Sequence, residues 1–110
     1  MNGDSRRSPR YAFVVTAEIT VEGSTSVIAT RLGDLSMHGC YLRKINLPEG
    51  ASIIIRISAG NSVFQAIGKV VYCQSNVGVG VEFQQIEPRY ATVLDQWLLE
   101  AKTLTADELT

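Results

Sequence analysis

The strongest regularity in this chain is an alternation of apolar and polar positions with a period of two. From Tyr11 to Glu22 the odd positions Tyr11, Phe13, Val15, Ala17, Ile19 and Val21 are apolar, while the even positions drift polar through Thr16, Glu18, Thr20 and Glu22. Successive side chains leave a strand on opposite faces, so this pattern predicts a strand with one buried face. Gly23-Ser24 reads as a turn, TSVIATRL as a second strand and CYLRK as a short third one. Leu47-Pro48-Glu49-Gly50 is a turn, with proline suited to its second position and glycine tolerant of positive φ. SIIIRIS alternates again, placing Ile53, Ile55 and Ile57 on one face and Arg56 on the other. Gly60-Asn61 is a hairpin signal. VFQAIGKVVYC is a long fifth strand in which Gly68 predicts a bulge or bend. After a turn at Gln74-Ser75-Asn76, VGVGVEF sets Val77, Val79, Val81 and Phe83 opposite Gly78, Gly80 and Glu82.

The period then changes. Pro88 suits the first turn of a helix. Tyr90, Val93, Leu94, Trp97, Leu98 and Ala101 follow the spacing of one apolar helical stripe. The expected helix runs from about 88 to 102, with residues 103–110 a frayed tail. Six evenly spaced strands without intervening helices mean an antiparallel barrel or sandwich, mostly β, with one C-terminal α-helix. Residues 11–102 form a single domain on this reading, and residues 1–10 a flexible basic segment ahead of it.

Composition narrows the function. Hydrophobic residues make up 45% of 110, enough for a packed core. A net charge of −1 and a pI near 5.7 argue against general attraction to DNA or RNA. No apolar run approaches the ~20 residues of a membrane span, and no signal-peptide apolar region is present. These features predict a cytoplasmic chain without membrane insertion. Cys40 and Cys73 are then reduced thiols, and their separation does not suit a metal site. With one histidine, His38, and no P-loop, HExxH or GxSxG, the sequence predicts no enzyme activity, no metal and no cofactor.

Charge is distributed unevenly. Arg6, Arg7 and Arg10 are three of seven arginines, and residues 1–10 carry a local charge of +2. The second polar feature is DLSMHG, with Asp34, Ser36 and Gly39. Taken alone it reads as a turn whose Asp and Ser bond local backbone. The two motifs are complementary when combined. Arginine forks suit phosphate oxygens or the O6/N7 edge of guanine. Aspartate accepts from guanine N–H groups, serine donates to phosphate, and glycine permits close approach. Together they would suit an anionic purine nucleotide.

The same residues resemble the PilZ domain family. The resemblance lies in RRSPR, which contains RxxxR (Arg6 and Arg10), in DLSMHG, which fits Asp/Asn-x-Ser-x-x-Gly, and in VGVGVEF followed by the helix. It extends over about residues 5–101. It implies a six-stranded antiparallel β-barrel with a C-terminal helix, and a bacterial second-messenger ligand, cyclic di-GMP. By resemblance, Arg6 and Arg10 clamp phosphate and guanine, Asp34 and Ser36 hydrogen-bond base and phosphate, and Gly39 gives clearance. Arg7 fits the RRxxR variant. The implied role is a non-catalytic receptor whose arginine segment orders on the ligand and which signals to an effector protein. The alternative is a PilZ-fold protein-interaction adaptor that binds no nucleotide. A single-strand nucleic-acid barrel is disfavoured by an aromatic content of 7%.

Overall fold

The computed structural model describes residues 9–109, with side chains described as far as Thr103. Among the described residues, seven strands precede one helix: β1 (Tyr11–Ala12), β2 (Thr16–Val21), β3 (Val27–Leu35), β4 (Gly39–Arg43), β5 (Ser52–Ala59), β6 (Ser62–Gln74), β7 (Gly78–Gln85) and α1 (Pro88–Leu109). All pairings are antiparallel. The order β3-β2-β5-β6-β7-β4 closes through β3–β4 into a six-stranded barrel, and β1 adds to β3. The choice between barrel and sandwich is therefore decided by a single ladder, in which Arg31 faces Arg43 and Leu35 faces Cys40.

The alternating apolar positions within the strands point inward, as expected, whereas Val77 lies in the turn before β7 and is exposed. Ala17, Ile19, Ile53, Ile55, Ile57, Val79 and Val81 are buried, with Phe64, Leu32, Leu42 and Val70 between them. The predicted first strand is divided into β1 and β2. Phe13 N–H donates to Gly33 C=O (3.2 Å) and Leu32 N–H to Val15 C=O (2.8 Å), so Val14 bulges outward between two bonded neighbours. The second strand runs further than expected, to Leu35. A shift in register between Leu32 and Asp34 turns both Leu32 and Leu35 into the core, an irregularity that hides the strand from a period-two reading.

Turns follow their predicted chemistry. Gly60 has φ 60° between Ala59 and Ser62, and Asn61 keeps negative φ, which suits a type II′ hairpin. Gly68 sits at a register shift between β6 and β7, where an added Cβ would lie 2.6 Å from Val81 Cγ1.

Glu87 caps α1, its carbonyl accepting from Tyr90 and Ala91 N–H groups at 2.9 Å. Leu94 and Trp97 are buried, and Tyr90, Val93 and Leu98 pack at the margin. Trp97 closes one end of the barrel, its ring 5.2 Å from Phe13 and 6.3 Å from Phe64. The helix continues to Leu109, past the end expected at residue 102. The apolar stripe marks only the part that packs. Beyond it, residues of high helix propensity in the sequence, Leu104, Ala106 and Glu108 among them, let the backbone continue, and Thr103 Oγ1 donates to Leu99 C=O at 2.9 Å. Among the described residues no helix is long and apolar enough to cross a membrane.

Candidate functional site

β1 carries the end of the arginine segment to the barrel. Tyr11 faces Leu35 and Ala12 faces Asp34, which leaves Arg10 beside the end of β3. Arg10 Nη1 donates to Asp34 Oδ1 at 2.8 Å. The two motifs, 24 residues apart, thus meet through one charged hydrogen bond. Their side chains are 49% and 33% exposed, open enough for a ligand to reach either. An exposed pair of this kind contributes only about 0–1 kcal/mol to stability. Its consequence is positional. One guanidinium nitrogen is held, and the remaining donors of the fork stay available. Arg6 and Arg7 lie outside the described residues, as does the expected order or disorder of residues 1–8.

Asp34 is a strand residue rather than a loop residue, facing Ala12 on one side and Tyr41 on the other. Only Ser36–His38 form the connection between β3 and β4. Ser36 is buried, 2% exposed. Its Oγ accepts from the N–H groups of His38 (3.3 Å) and Gly39 (3.2 Å) and donates to Gly39 C=O (3.2 Å). Ser36 N–H also donates to Gly39 C=O at 2.9 Å. The serine is therefore committed to the turn, as the local reading of the motif anticipated. Gly39 makes room for protein rather than solvent: a Cβ there would fall on the Val81 carbonyl oxygen of the neighbouring strand. Gly39→Ala is expected to destabilise the fold by about 1–3 kcal/mol. Gly80→Ala should cost less, because its Cβ meets the movable Tyr72 ring instead of backbone. Urea denaturation of both variants checks the order, and an unperturbed Gly39→Ala would contradict it.

The outer wall beside the pair holds two tyrosines that the sequence did not single out, Tyr41 and Tyr72, next to Arg43. Tyr41 faces Asp34 across β3–β4, and Arg43 faces Arg31. The Tyr41 ring lies against Gly33 and Gly78, and the Tyr72 ring over Gly80. The two rings are 6.4 Å apart. Glycines 78 and 80 are thus a flat backbone shelf on which tyrosines lie. The signal was present as small residues alternating with valine, but its meaning depends on which strands become neighbours. His38 is exposed, and its carbonyl accepts from Phe83 N–H at 2.8 Å. A shallow cleft of about 300 Å³ adjoins the pair, lined by Pro9, Tyr11, Met37, Leu98 and Leu99 among others. It joins the arginine segment and the motif loop to the far half of α1.

Behind the site, burial pushes the Cys40 thiol far above its usual range, with the Asp34 charge adding to the effect and Arg10 opposing it. A thiol held neutral is a poor nucleophile. Iodoacetamide is expected to modify only Cys73 in the folded chain and Cys40 only after unfolding. Comparable labelling of both in the native state would contradict this arrangement. Among the described residues no three His, Cys, Asp or Glu side chains gather as a metal site.

The sequence matches the PilZ domain family over residues 4–100. The chain belongs to that family. Solved structures share its fold at low sequence identity. The PilZ domain with c-di-GMP of YcgR from Escherichia coli is 16% identical, with a TM-score of 0.71 over 94% of this chain and 96% of that one. The PilZ domain of CeSA from a cellulose-synthesizing bacterium is 12% identical, with a TM-score of 0.68 over 86% of this chain and 99% of that one. The Bacillus subtilis inhibitor of motility, MotI/DgrA, is 15% identical, with a TM-score of 0.72 over 89% of this PilZ chain but 51% of its own length. No functionally curated protein matches the sequence. PilZ is a cyclic di-GMP-binding family, and the structural likeness agrees with the six-stranded barrel and terminal helix found here.

Proposed function

We propose that this PilZ domain is a non-catalytic receptor for cyclic di-GMP. The observation that carries the reading is the Arg10–Asp34 bond, which joins the two ligand motifs of the family at one exposed point on the barrel. Membership of the family supports it, as does the YcgR domain, whose structure contains c-di-GMP. In this account Arg6 and Arg10 grip phosphate and the guanine O6/N7 edge, with Arg7 assisting. Asp34 accepts from guanine N–H groups while it orients Arg10. Ser36 and Gly39 act through the turn they build, since the serine hydroxyl is already engaged and the glycine is packed against Val81. Arg43 is a peripheral phosphate contact at the edge of the Tyr41 shelf.

The arginine segment is the moving part. Ordering it costs about 1–2 kcal/mol per fixed residue, and charged hydrogen bonds of about 1.5–3 kcal/mol each offset that cost. Because Arg10 already rests on Asp34, the segment closes from an anchored end. The closed segment would present a new surface to an effector protein in the cytoplasm.

Amide hydrogen exchange tests the switch. Residues 1–10 should exchange rapidly alone and be protected with cyclic di-GMP, with further protection at Asp34–Gly39. Equal exchange of the segment in both states would rule the switch out. No effect of the nucleotide anywhere on the barrel would favour the adaptor reading.

A further inference from the structure

The barrel is closed along most of its height but not at the β2–β3 hairpin. β3 pairs with β2 from Val27 to Arg31, yet it meets β4 only from Arg31 onward. The ladder shows which backbone groups are left. Leu32 N–H donates to Val15 C=O, so Leu32, Thr30 and Ile28 direct their backbone groups toward β2. The alternation of an antiparallel ladder turns those of Arg31, Ala29 and Val27 to the other edge. Arg31 meets Arg43 there. Among the described residues, Val27 and Ala29 face no strand. The cause lies in β4. At Lys44 the backbone takes φ 53°, and its N–H donates to Val77 C=O at 2.7 Å, so the backbone ladder to β3 ends at Arg43, and beyond it the Thr30 side chain reaches β4, its Oγ1 donating to Arg43 C=O.

Exposed edges normally carry a lysine, a proline or a bulge that blocks further pairing. This one has none of these. Residues 23–30 contain no charged side chain, and Val27 and Ile28 are 59% and 39% exposed.

We propose that this edge is a two-fold self-association surface, on which Val27–Ala29 of two copies pair antiparallel. With Ile28 opposite Ile28 of the second copy, Val27 stands opposite Ala29. Every free N–H and C=O of these two residues then finds a partner, giving four hydrogen bonds across the axis. The slot is only three residues long. Arg43 stops it at Arg31, and the turn at Gly23, φ 89°, stops it at the other end. A second hairpin tip fits this length, whereas a long strand from another protein would run into β4. The absence of charge lets identical edges meet without like-charge repulsion. The contact is small, so the association is weak and concentration-dependent.

Sedimentation of the full chain from micromolar to millimolar concentration tests the proposal, together with Ala29→Pro and Val27→Lys. Proline at residue 29 removes an N–H that bonds nothing within one copy, so the barrel should tolerate it. The wild type should shift toward dimer with concentration, and both variants should remain monomeric with unchanged circular dichroism. If Ala29→Pro fails to fold, the wild type alone still decides. Its Val27 and Ala29 amides should exchange about tenfold more slowly at the highest concentration than at the lowest. A wild type that stays monomeric, a dimer unaffected by either folded variant, or exchange at these amides independent of concentration would overturn the proposal.

Discussion

Truncating Trp97 to alanine is expected to remove about 3–5 kcal/mol of stability. Trp97 is the largest side chain that α1 buries, and it stacks between Phe13 and Phe64 at the open end of the barrel. Phe64 in turn packs on Phe83, at 5.3 Å between ring centroids. No neighbour can collapse into a void bounded by rigid strands, so the cost should lie toward the upper part of the range. Each kcal/mol lowers the melting temperature of a domain this size by about 4–8 °C, so melting should fall by roughly 12–40 °C. A second effect follows from position. Phe13 lies directly after β1, and β1 holds Arg10 beside Asp34. Loosening the Phe13–Trp97 contact should therefore weaken nucleotide binding even though Trp97 does not touch the site. Thermal melting by circular dichroism checks the first effect. A shift of only one or two degrees would mean that the helix is an appendage rather than the barrel's plug.

The arginine double variant Arg6→Ala, Arg10→Ala should show the opposite balance, with a large loss of binding and little loss of stability. Two charged hydrogen bonds of about 1.5–3 kcal/mol each are lost on the ligand. Affinity should drop by about 10²- to 10⁴-fold. The folded chain loses one exposed pair worth about 0–1 kcal/mol, so the melting temperature should barely move. This separation distinguishes a ligand contact from a structural residue. Equal losses in both quantities would show that Arg10 acts by holding β1 on the barrel.

Much of the fold was legible because burial on one face of a strand leaves a period of two in the sequence. Ile53, Ile55 and Ile57 are the clearest case: alternating in sequence, they are all buried. The departures come from the ladders. The break at Val14 and the extra length of β3 depend on how Leu32, Gly33 and Asp34 meet two neighbours at once, which no local pattern records. The helix end is hidden from the sequence pattern for a different reason, since an apolar stripe marks packing and the backbone continues where packing stops. At the site, residue types announced their chemistry, but the local roles of two of them were not legible. Ser36 and Gly39 match the ligand motif as letters, and in the fold they also build a turn and a strand crossing. The Tyr41–Tyr72 shelf and the open edge at Val27–Ala29 are properties of strand order and remained invisible until the sheet was assembled.

Isothermal titration of the wild-type chain with cyclic di-GMP tests the central claim most directly. Saturable binding with a defined stoichiometry, abolished or severely weakened in the Arg6→Ala, Arg10→Ala variant, is the predicted result. Absence of heat and of any thermal stabilisation at high nucleotide concentration, in a chain shown to be folded, would contradict the receptor account.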